Sequence, residues 1–199
     1  LVDKAEYVGR PLIMPRRPID RAMVFDARRA LIKRGQLIQD RSLPNTMLRF
    51  PERKNVDPAE VLCSINPFGH IAYLTAMAFH GLTNRVPKII YFITLEAPAW
   101  RRMAEEKMRK DLGDLYEEFE AKNLPKLQHS KFEKIDGMVL NEIRAKDLGG
   151  GWRYAREGAI RVTTLGRTFL DMLRRPDLCG GIRHVLEVYE DHAKSHLSA

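Results

Sequence analysis

The chain has 199 residues, of which 44% are hydrophobic and 30% charged, enough for one full domain with its own core, and that balance excludes wholesale disorder. No apolar run approaches the roughly 20 residues a membrane helix needs, so no membrane partner is expected. Lys and Arg outnumber Asp and Glu by 34 to 26, a net charge of +8 that suits a polyanionic partner without requiring one.

Cys63 and Cys179 have no Cys or His nearby at zinc-ligand spacing. A disulfide scaffold is therefore excluded, and a reducing cytoplasm is the expected compartment. Leu1 to Gly9 carries three charges and lacks the apolar stretch of a secretion signal. The basic excess gathers at the amino end, where the first sixty residues hold 13 basic and 8 acidic side chains. Most of those cations are Arg, whose planar fork of donors suits phosphates and guanine edges.

Pro11, Pro15 and Pro18 predict an extended arm or loop rather than a helix or central strand. Asp20 is placed to cap a helix that starts at Arg21 and stops at Gly35, with Met23, Ala27, Ala30 and Leu31 on its apolar side. Its polar side carries Arg21, Arg28, Arg29 and Lys33, with Arg34 at the end. Gln36–Gln39 and Thr46–Phe50 then read as a β-hairpin, with Arg41 in its loop. A basic helix followed by a hairpin is the order found at the end of a winged helix-turn-helix, where the helix enters the major groove and the wing touches phosphates. The prolines leave a poor place for the two earlier helices of such a module.

After a polar linker, Asp57-Pro58 opens a helix over 59–64. An apolar stripe predicts a second helix over 70–80, ended by Gly81. Lys88 to Leu95 is apolar on both faces and reads as a central strand. Residues 98–120 read as an exposed helical segment, with Glu105/Arg109 and Glu106/Lys110 as ion pairs four apart. A strand pair turning at Asp136-Gly137, a glycine joint at 149–151 and a hairpin about Glu157-Gly158 follow. Thr164 caps a helix to about Leu173, and Gly180-Gly181 precede a last helix with Val185, Leu186 and Tyr189 facing the core.

Candidate chemistry is sparse. Gly149-Gly150-Gly151 lacks the Lys-Ser or Lys-Thr of a phosphate-binding P-loop and reads as a flexible loop. His192 and His196 share a helix face but have no evident third ligand, so they read as solvated surface residues. Glu142, Lys146 and Asp136 faintly resemble the acidic-plus-lysine sites of metal-dependent nucleases, without the compact strand element those sites need. Cys179 has no evident base and reads as a buried or capping residue. No cofactor and no catalytic residue are expected.

Two stretches resemble one family. The first runs from Ile71 through Ala78-Phe79-His80-Gly81-Leu82-Thr83 into the strand ending near Ile93. The second is Arg167-Thr168-Phe169-Leu170-Asp171, followed by Pro176-Asp177-Leu178-Cys179-Gly180-Gly181. Both look like the AbiEi-type antitoxins of abortive-infection, type IV toxin–antitoxin systems, and Leu31 to Pro51 resembles that family's recognition-helix end and wing. The resemblance implies an α+β protein with a partial winged-helix-like part over residues 1–56. A mixed α/β antitoxin domain with a small central sheet would occupy 57–199. It further implies a non-catalytic antitoxin and autorepressor that binds double-stranded DNA of its own promoter and counteracts a nucleotidyltransferase-like toxin. The DNA-facing residues expected are Arg21, Arg28, Arg29, Lys33, Arg34 and Arg41. A protein-interaction module without DNA binding, or a metal-dependent nuclease-like enzyme of phage defence, are the alternatives.

Overall fold

The structure is a computed structural model and describes residues 6–7, 10–11, 20–39, 47–51, 56–131 and 133–196. The fold is α+β, organised on one mixed six-stranded sheet. Among the described residues, no helix is long and apolar enough to cross a membrane.

The amino end holds a two-residue strand pair, β1 (Glu6–Tyr7) and β2 (Arg10–Pro11), inside the proline-punctuated stretch. Helix α1 (Arg21–Lys33) begins where expected, because the Asp20 carboxylate accepts a 2.8 Å hydrogen bond from the Met23 amide. Strands β3 (Ile38–Gln39) and β4 (Leu48–Arg49) pair antiparallel, as a hairpin requires.

The main sheet runs β7-β8-β6-β5-β10-β9. Its members are β5 (Gly69–Ile71), β6 (Ile89–Leu95), β7 (Lys134–Ile135), β8 (Met138–Ala145), β9 (Trp152–Ala155) and β10 (Ile160–Thr163). Strand β6 is central and buried on both faces, as its composition predicted. Ile90 and Phe92 point to one side, where helix α2 (Pro58–Ile65) supplies Ala59, Leu62 and Cys63. Tyr91 and Ile93 point to the other, against α3 (Tyr73–Phe79), α6 (Leu165–Arg174) and α7 (Ile182–His196). Strands β6 and β8 are parallel and are joined by α4 (Ala97–Leu112) and α5 (Tyr116–Ala121).

Four expectations are corrected. His70 and Ile71 lie in strand β5, so the helix begins only at Tyr73. Both are almost fully buried, and a strand covered on both faces carries no alternation to separate it from a helix stripe. The segment from 98 is not wholly exposed: Trp100, Ala104 and Leu112 are buried because α4 is a crossover helix that must pack on the sheet. Glu105 does pair with Arg109 at 2.9 Å, but Glu106 pairs with Arg102 at 3.9 Å and not with Lys110. Finally, Val185 is buried as expected, whereas Leu186 is 54% exposed.

Close approach of β5 and β6 requires Gly69. A Cβ there would lie 2.3 Å from the Phe92 ring and 2.5 Å from the Ile93 carbonyl oxygen. Phe92 is fully buried and has no room to yield. Gly69→Ala is therefore expected to lower stability to urea by about 3 kcal/mol. Gly166→Ala, in α6 where a Cβ meets nothing within 4 Å, is expected to raise it by about 0.5 kcal/mol. Equal effects of the two substitutions would refute the steric reading.

Candidate nucleic-acid interface

Helix α1 buries none of its side chains. At 100° per residue, Arg21, Arg28, Arg29 and Lys33 fall within a sector of roughly 140°, while Arg34, the C-cap residue, lies about 100° beyond it. Arg21, Arg29, Lys33 and Arg34 are exposed and Arg28 is half-buried. Arg29 meets Asp26 at 3.8 Å, but with side chains 81% and 71% exposed that pair contributes little. The Arg21 guanidinium sits over the Phe25 ring, 5.7 Å from its centroid, which holds it on the same side of the helix. The 13 residues make a rod about 20 Å long, of a thickness that a major groove admits.

The hairpin that follows is anchored to the rest of the chain. Met47 packs against the core beneath α2, and Arg49 is 7% exposed, with its guanidinium 3.5 Å from Asp136 in the β7–β8 turn. Arg49 is thus withdrawn from the basic surface that the arginine-rich composition suggested. Arg41 lies outside the described residues.

The other sequence candidates are not brought together. Asp136 is engaged by Arg49, whereas Glu142 lies on β8 four residues past its start, about 13 Å along the strand. Glu142 receives His129 at 3.1 Å and Arg144 at 3.3 Å, so both its oxygens are occupied. The rings of His192 and His196 stack with centroids 6.0 Å apart. Among the described residues, no group of three or more His, Cys, Asp or Glu is placed to hold a metal ion. Cys179 is fully buried, and burial, with Asp171 and Asp177 adding to it, pushes its thiol up to about 12, which leaves it protonated and a poor nucleophile at neutral pH. Gly149–Gly151 wraps the Arg167 side chain, which donates to the Gly150 carbonyl at 3.0 Å and to Asp171 at 2.7 Å. Those motif residues hold α6 to the loop before β9.

Two buried polar residues were missed in the sequence. Arg161 sits between Ile160 and Val162 with its guanidinium inside the fold, and His70 is 1% exposed. Alternation of one cation within an apolar strand was the only signal for the first.

No family model matches the chain, and no curated protein matches it.

Proposed function

We propose that the protein is a non-catalytic antitoxin and DNA-binding autorepressor of the AbiEi kind, acting in the cytoplasm on its own promoter and against a nucleotidyltransferase-like toxin. The observation that supports DNA binding is α1, four of whose cations fall in one sector, Arg21, Arg29 and Lys33 exposed and Arg28 half-buried, and which is followed at once by the β3–β4 hairpin. In this reading Arg21, Arg28, Arg29 and Lys33 face the duplex from the helix, and Arg41 touches a phosphate from the wing. Arg34 serves a flanking phosphate, since it points away from the others.

Fluorescence anisotropy with the upstream intergenic duplex tests it. Log affinity should fall linearly with log salt, and replacing Arg21, Arg28, Arg29 and Lys33 by Gln should reduce that slope by about 3 to 4. A salt-independent affinity, or an unchanged slope in the variant, would refute the duplex contact.

A second reading rests on a different surface. Leu170 and Leu173 of α6 and Ile182 and Leu186 of α7 are 41% to 59% exposed, apolar side chains on two packed helices of the sort that mark protein contacts. An interaction module that neutralises a partner without binding DNA would use them. Absence of a duplex complex, with toxicity of the neighbouring gene product still suppressed, selects this reading.

A further inference from the structure

A cleft of about 780 Å³ opens beside the crossover from β6 to β8. It lies at the carboxyl ends of those two parallel strands, lined by Leu95, Ala97 and Arg144, which is where open α/β sheets place their ligands. Its accessible apolar surface comes mainly from the half-buried Met108 and Leu127, Trp100 and Ala104 being nearly fully buried in its wall, and its volume falls in the range of small-molecule sites.

The charges around it are sorted. The carboxylates are already matched: Glu105 takes two hydrogen bonds from Arg109, Glu120 is bonded by Lys126, and Glu142 holds His129 and Arg144. Among the described residues, two lining cations are left over. Arg101 bonds only to the Ala97 carbonyl, at 3.4 Å, and neither it nor Lys131 pairs with a carboxylate among the described residues.

The walls are fixed before any ligand arrives. The Trp100 indole donates to Asn66 Oδ1 at 3.0 Å, and Asn66 in turn donates to Thr94 at 2.9 Å. The His129 ring meets Trp100 edge-on at 5.4 Å and is tied to Glu142. Rigid aromatic edges beside unmatched cations lower the ordering cost of binding.

We propose that this cleft binds a small organic anion, a flat apolar body carrying one acidic group, with the body against Met108 and Leu127 and the acid held by Arg101 and Lys131. The site lies on the sheet, and its occupancy is independent of the DNA-binding reading.

Calorimetric titration of the full chain with naphthalene-2-sulfonate tests it, with naphthalene-2-sulfonamide as the neutral probe of the same shape. The sulfonate should bind at one site per chain, and the sulfonamide about tenfold more weakly, the size of one charge-assisted hydrogen bond. Arg101→Gln/Lys131→Gln should lose a similar factor for the sulfonate and nothing for the sulfonamide. Both side chains are exposed, so the double variant keeps its fold, which its thermal midpoint verifies. Leu173→Lys/Ile182→Lys, among the exposed apolar side chains of α6 and α7, should bind the sulfonate as the unsubstituted chain does. No saturable binding, equal affinity for the two probes, an undiminished double variant, or loss of binding in the α6/α7 variant would each overturn the proposal.

Discussion

Arg161→Met is expected to lower the unfolding free energy by about 4 kcal/mol. Arg161 is 8% exposed and has no carboxylate partner among the described residues; its guanidinium instead serves three carbonyls. Nε donates to Gly69 at 2.7 Å, and Nη2 donates to Cys63 at 2.7 Å and to Asn66 at 2.6 Å. Cys63 and Asn66 stand at the carboxyl end of α2, where helix carbonyls lack partners and the helix dipole is negative. One side chain from β10 thereby terminates α2 and fastens the turn into β5. Methionine fills the volume but leaves three buried acceptors unpaired, at about 1–3 kcal/mol each before relaxation. Arg161→Lys should recover only part of the loss, because an ammonium cannot reproduce the planar fork. Urea unfolding measures both; a loss below about 1 kcal/mol for the methionine variant would show that water replaces the guanidinium.

The second large effect is with pH. His70 is buried in β5, its ring stacked on Trp152 at 6.0 Å, and neither ring nitrogen has a hydrogen-bond partner among the described residues. Burial, reinforced by the charges of Arg167 and Arg161, lowers its pKa to about 4. The folded state therefore refuses a proton that the unfolded state accepts near 6.5. Stability is complete above that value, falls as the pH drops through it, and levels off near 4, for a total of about 3 kcal/mol. His80 acts in the same direction, since burial lowers its pKa too. In His70→Phe, a ring of similar shape that binds no proton, the unfolding free energy should vary by about 3 kcal/mol less between pH 7 and pH 4. An unchanged pH profile would place the acid sensitivity elsewhere.

Asp171 shows the opposite case. Its carboxyl is 2% exposed, and burial raises its pKa even though Arg167 donates to it and pulls the other way. Its contribution to stability therefore declines as pH rises, and it blunts the His70 dependence at the acid end.

Local signals carried much of the fold. Asp20, Asp57 and Thr164 each cap the helix that begins beside them, since a cap depends on three or four adjacent residues. The hairpins at Asp136-Gly137 and Glu157-Gly158 formed because those turn residues supply the left-handed backbone that a tight connection needs. What stayed hidden was long-range. Strand β5 has three residues, and only its pairing with β6 and β10 identifies it as a strand. Glu106 chose Arg102 over Lys110, a choice between two nearly equal exposed neighbours that spacing alone does not decide. For the candidate interface, the helix, its cap and the grouping of four of its cations were legible, because the cap depends on adjacent residues and the rest follows from a 3.6-residue period. The withdrawal of Arg49 was not, since its partner Asp136 is distant in sequence.

A 13-residue helix with no fully buried side chain leans, among the described residues, largely on its own propensity and its Asp20 cap. Helices of that length are marginal in water, so α1 should exchange its amide hydrogens rapidly while β6 exchanges slowly. Complex formation would then carry a folding component: part of the intrinsic affinity goes into ordering the segment. Substitutions such as Ala22→Gly that touch no ligand atom would weaken association simply by making the disordered segment harder to order.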